Sequence, residues 1–125
     1  MPIVAREDQT KGGKYVVRCQ VSGHVSGDDA RGLNEQSKAL AARIGTMGHL
    51  LCNVASGTDY SPESRRIFTK DFKPYTHRTA VVVSSKIVRA AINFMMRMAP
   101  EKTELRCFDD EDSAMAWIDQ APPIP

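Results

Sequence analysis

Four apolar stretches of strand length alternate along this chain with segments of helical period, and that alternation narrows the fold more than any other feature. The stretches are Tyr15–Val21 (YVVRCQV), His49–Ala55 (HLLCNVA), Thr79–Ser84 (TAVVVS) and Glu104–Phe108 (ELRCF). Each is followed by a segment that reads as a helix. Repeated strand–helix units imply a largely parallel sheet, joined by right-handed crossovers and covered by its helices. A chain of 125 residues accommodates one such domain, not two with independent cores.

Local patterns fill in the units. Tyr15, Val17, Cys19 and Val21 fall on one face and Val16, Arg18 and Gln20 on the other, the two-residue period of a half-buried strand. A short strand IVA within Pro2–Glu7 and the turn Thr10–Lys14 (TKGGK) make an initial hairpin with it. Ser22–Gly27 reads as a loop. Ser26 then caps a first helix, with Asp28 and Asp29 in the turn where the helix dipole favours negative charge. Between Asp28 and Ile44, Ala30, Leu33, Leu40, Ala41 and Ile44 share a face with Ser37 in the gap, and Gly45 suits a left-handed stop.

Ser61 and Pro62 open a second helix expected to run to about Lys73, to bury Ile67, Phe68 and Phe72, and to stop at Pro74. The unbroken apolar run Thr79–Ser84 predicts a central strand covered on both faces. A third helix spans about Lys86 to Met98 and ends before Pro100. The acidic run Asp109–Asp112 suits the start of a last helix that buries Ala114, Trp117 and Ile118. The predicted order is ββαβαβαβα. It describes one α/β domain over residues 1–121, with a mostly parallel sheet of four to five strands, an N-terminal hairpin and four helices. Residues 122–125 are expected to form a frayed Pro-rich tail.

Several function classes are excluded at this level. The sequence holds no GxxxxGK[ST], GxSxG, HExxH or GxGxxG pattern, so neither an enzyme nor a cofactor is expected. His24, His49 and His77 lie in separate loops or strand edges without a carboxylate at ligand spacing. Cys19, Cys52 and Cys107 lack metal-type spacing and read as buried reduced thiols, which fits a cytoplasmic protein. The start MPIVARED has no apolar run of a secretory signal, and no stretch reaches the roughly 20 apolar residues of a membrane helix.

The net charge of +2 does not argue for nucleic acid. Its distribution is uneven: residues 1–60 carry 7 Lys/Arg against 6 Asp/Glu, residues 61–106 carry 10 against 4, and residues 107–125 carry none against 5. Folding of the acidic end onto the basic middle would absorb the asymmetry. Arg65, Arg66, Lys70 and Lys73 on the second helix read as a solvated face, with no exposed aromatics interleaved for nucleic-acid stacking.

The strand TAVVVSS, the helix KIVRAAINFMMRMAP and the ending LRCFDDEDSAMAWI resemble the SpoIIAA-like family, a branch of the STAS-domain fold related in shape to the lipid-carrying CRAL-TRIO domains. The most specific part is the ending: a strand into Phe108, an acidic turn, then Ala114, Ala116, Trp117 and Ile118. The resemblance spans roughly residues 15–120 and implies a non-enzymatic regulatory or scaffolding domain of bacterial type, with Phe108 and Trp117 as core anchors. STAS regulators carry a phosphorylatable serine at the N-terminus of the helix that follows the strand matching His49–Ala55. In NVASGTDYSPES the approximate matches are Ser56 and Ser61, which equally read as a turn residue and a helix cap.

The third helix is the main functional signal. Ile87, Ala91, Phe94 and Met98 form one apolar stripe and Val88, Ile92, Met95 and Ala99 a second beside it, leaving Arg89, Asn93 and Arg97 as the polar strip. Packing on one sheet face needs an apolar arc of only about 100°. Something else should therefore cover the surplus. A protein partner or a second copy would contact Val88, Arg89, Ile92, Met95, Met96 and Arg97. The alternative is an apolar small molecule or lipid in a pocket lined by Phe68, Phe72, Phe94 and Met98. Methionines serve both uses, and also plain core filling.

Overall fold

Strand pairing follows the period-two alternation of Tyr15–Val21. In the computed structural model, which describes residues 2–72, 74–98 and 104–123, β1 (Ile3–Gln9) runs antiparallel to β2 (Tyr15–Val21), with Ile3 opposite Val21 and Gln9 opposite Tyr15. The chain continues through β3 (His24–Val25), α1 (Gly27–Ile44), β4 (Gly48–Val54), β5 (Asp59–Tyr60), α2 (Pro62–Lys70) and β6 (Thr76–Val83). It finishes with α3 (Lys86–Arg97), β7 (Glu104–Phe108) and α4 (Glu111–Asp119). The main sheet has the order β1-β2-β4-β6-β7, parallel except at the β1–β2 hairpin. This is the expected α/β architecture.

From β2 onward the strands are laid down in one direction across the sheet. Right-handed crossovers then put every connecting helix on the same face. Val17, Cys19, Val21, Leu50, Cys52, Val54, Val81 and Val83 accordingly lie under Ala30, Leu33 and Leu40 of α1, Ile67 of α2, and Val88 and Ile92 of α3. The opposite face, built from Val16, Leu51, Ala80 and Val82, is closed by Ala114 and Ile118 of α4. Asp119 ties the end of α4 to the hairpin turn, accepting the Thr10 hydroxyl at 2.5 Å and the Gly12 N–H at 3.0 Å. A Cβ on Gly12 would press on that carboxylate, so a larger residue there would have to displace the Asp119 side chain.

Helix ends follow their local chemistry. Ser26 and Asp29 form a reciprocal capping box on α1, and Gly45 closes it at φ 79°. Ser61, Ser85 and Asp110 cap α2, α3 and α4. The differences from expectation are specific. β1 extends to Gln9, because the hairpin register stays unbroken down to Tyr15. Ser22–Gly27 and Ser56–Ser61 are not wholly loop: they contribute β3 and β5, a separate two-stranded parallel ribbon. α2 ends at Lys70, and the chain turns at Phe72, whose carbonyl accepts from Tyr75 and Thr76 N–H. Lys73, Ala99, Pro100 and the tail residues Ile124 and Pro125 lie outside the described residues.

Phe108 and Trp117 are half-buried, not sealed in the core. Trp117 makes a platform for Arg78, whose guanidinium carbon lies 4.6 Å from the ring centroid, and Nη1 of Arg78 donates to the Trp117 carbonyl at 2.6 Å. The acidic end meets the basic middle at Arg89–Asp109 (2.8 Å), while Glu111 turns instead to Arg18 of β2 at 3.2 Å.

Candidate functional site

Among the described residues, the third of three helices laid side by side has a neighbouring helix, α2, on one flank only. α3 rests on the edge of the sheet, over half-buried Leu105 and Cys107 of β7. Val88 and Ile92 point down and are buried, and Met95 and Met96 are half-buried. The stripe Ile87, Ala91, Phe94 and Met98 points away from the sheet, with Ile87 84%, Phe94 63% and Met98 70% exposed. The residues expected at a partner surface are thus divided: Val88 and Ile92 belong to the core, packed with the valines of β6. Arg89 is also directed inward, donating to the Val83 carbonyl at 2.9 Å and the Phe108 carbonyl at 3.3 Å. Arg97 remains on the exposed side.

Between α2 and α3 an open groove of about 560 Å³ runs past Tyr60. One wall is the apolar stripe of α3, the other is Arg65, Arg66 and Thr69 of α2, and Ile92 and Met95 form the floor. Nε of Arg65 donates to the Tyr60 carbonyl at 3.1 Å. Among the described residues no carboxylate pairs with Arg65, Arg66 or Lys70. Three acids at the carboxyl end of the sheet are engaged elsewhere: Glu63 with Arg31, Asp59 with His24 at 2.7 Å, and Asp109 with Arg89. The predicted absorption of the basic excess therefore stops short of this wall.

Beneath the groove lies a second, smaller space. Phe68 and Phe72 stack at 5.1 Å, Tyr60 meets Phe68 edge-on at 5.7 Å, and with Cys52, Met95 and Met96 they line an apolar cavity of about 50 Å³. The expected pocket set is split: Phe68 and Phe72 face this cavity, while Phe94 and Met98 face the outer groove. Burial pushes the Tyr60 phenol well above its ordinary range.

The remaining candidates are placed as follows. Ser61 is half-buried and its Oγ accepts the Ser64 N–H at 3.0 Å, capping α2. Ser56 is exposed in the turn after β4, beside Gly57 at φ 81°. Cys19 and Cys52, in register on β2 and β4, bring their sulfurs to 3.1 Å inside the core, and Cys107 is half-buried. The histidines are less scattered than their spacing implies. His49 and His77 sit on adjacent strands with ring centroids 5.5 Å apart, and Nδ1 of His49 accepts the Arg78 N–H at 3.2 Å. His77 faces Glu104 at 3.4 Å. Burial, then repulsion from His77, Lys14 and Arg78, pushes His49 down to about 4. Among the described residues no group of three or more His, Cys, Asp or Glu is placed to hold a metal ion, and no helix is long and apolar enough to cross a membrane.

Comparison with known proteins agrees with this architecture. The model of a family described as a domain of unknown function, DUF7793, matches residues 32–122. The chain is similar to the crystal structure of an uncharacterised protein of the DUF3478 family with a SpoIIAA-like fold from Shewanella loihica PV-4. That match has a TM-score of 0.68 and 15% identity, and covers 93% of each chain. No curated protein matches the sequence. The SpoIIAA-like fold expected from the closing residues is the fold found.

Proposed function

We propose a role for this chain, which belongs to the DUF7793 family of domains of unknown function: it is a non-enzymatic regulatory or scaffolding domain that receives a protein partner, or a second copy of itself, in the groove between α2 and α3. One observation carries this reading. Ile87, Phe94 and Met98 are left 84%, 63% and 70% exposed on a single helix face beside a concave groove. Contiguous apolar surface rimmed by polar residues marks an interaction site in soluble proteins. Flexible methionines suit such a surface, since they repack against different partners. Three free thiols suit a reducing, cytoplasmic setting.

The inner cavity supports a second reading, a sensor of an apolar small molecule. At about 50 Å³ it has room for a very small ligand and not for a lipid chain. The groove is tested by affinity capture from the source cell with wild-type protein and with Phe94→Asp. Partners held by the wild type are expected to be lost by the variant, with far-UV circular dichroism unchanged. Equal capture by a folded variant would overturn the assignment.

A further inference from the structure

We infer that the occupant of the α2–α3 groove is an acidic amphipathic helix of a partner protein. This rests on the groove being the docking surface, and goes further in stating what the partner presents. The two walls are chemically different. α3 offers Ile87, Ala91, Phe94 and Met98 at helical spacing, and α2 offers Arg65 and Arg66 across the gap. From Ile87 to Met98 the apolar wall is about 16 Å long, three turns of helix. A ligand seated here needs a greasy flank and an anionic flank at once. A helix with apolar residues at every third and fourth position and Asp or Glu beside them has that division.

Charge selects among the occupants. Arg65 and Arg66 of the groove wall have no carboxylate partner among the described residues, so an acidic ligand gains attraction without breaking an existing pair. In a two-fold contact between copies the same surface meets itself, so one copy would have to set its own carboxylates against the other's Arg65 and Arg66. The acidic residues this chain could offer are partly committed, Asp109 to Arg89 and Glu111 to Arg18. A bilayer meets a convex or planar surface well, whereas this apolar wall lines a concave space of about 560 Å³.

The test uses two labelled synthetic peptides of about 18 residues with the same leucine spacing, one filled with Glu and the other with Lys, titrated by fluorescence anisotropy. The Glu peptide is expected to bind about ten-fold or more tightly than the Lys peptide, and to weaken as salt rises. Arg65→Glu with Arg66→Glu is expected to invert that preference, and Phe94→Asp to abolish binding of both. Equal or tighter binding of the Lys peptide, or an unchanged preference in the double variant, overturns the inference.

Failure of both peptides, with a Phe94-dependent dimer by light scattering or Phe94-dependent retention on phosphatidylglycerol vesicles, also overturns it. The first outcome leaves the groove as a self-association surface, and the second reassigns it to a membrane. Undiminished Glu-peptide binding by Phe94→Asp would remove the groove itself, and with it both proposals.

Discussion

His49 opens β4 with 6% of its surface exposed, its ring against His77 and its Nδ1 already occupied by the Arg78 N–H. Burial disfavours its charged form, and protonation would also place a charge among His77, Lys14 and Arg78 with only Glu104 opposing, so its pKa falls from 6.5 to about 4. In the unfolded chain the imidazole returns to its ordinary value. Between pH 6.5 and 4 the unfolded state therefore binds the proton more readily than the native state, so stability falls as pH falls across that window. At pH 5 the unfolded imidazole is almost fully charged and the native one almost fully neutral. The difference is worth roughly 2 kcal/mol relative to pH 7.

Urea melts at pH 7 and pH 5 would measure this, with His49→Asn as the control. Asn keeps an acceptor near the Nδ1 position but carries no proton across this range. The wild type is expected to lose about 2 kcal/mol more than the variant on acidification. Identical losses would refute a neutral buried imidazole. So would a histidine resonance for residue 49 titrating near 6.5 by NMR.

Other expectations concern the scaffold. Ile118→Ala, at a side chain with no exposed surface, is expected to cost about 2–5 kcal/mol in a urea melt, and a loss below about 1 would mean that α4 does not close its face as described. Ser26→Ala removes the acceptor of the Asp29 N–H and is expected to cost about 1 kcal/mol, read as a lowered Tm. Gly48→Ala would set a Cβ 2.9 Å from Cδ2 of buried Leu40. A cost of about 1–3 kcal/mol is expected, and an unchanged Tm would contradict the close packing there.

The parallel sheet was legible because Val17, Cys19 and Val21 alternate, and because Ala80–Val83 is apolar throughout and is in fact buried from both sides. α1 was legible because Ser26, Asp29 and Gly45 carry its caps locally. The β3–β5 ribbon was not, since two-residue strands pair only after distant segments have met. Nor could spacing show that residues 49 and 77 become neighbours, because that depends on the β4–β6 register and the irregularity between Gly48 and Leu50. The apolar surplus of α3 was visible, and so were its two stripes. Which stripe turns outward depends on how α3 leaves β6, and no periodicity encodes that rotation. For the same reason Arg65 and Arg66, read first as part of a solvated face, gain meaning only when α2 is set opposite Phe94.

Placing α1, α2 and α3 in a row on one side of the sheet has an outcome that reaches beyond stability. Neighbouring helices on a sheet touch low down and part above, and what lines the parting is set by which helices stand side by side. Here Arg65 and Arg66 stand on one bank and Ile87, Phe94 and Met98 on the other, so the direction in which the strands were added also decides that charge and apolar surface share a single opening.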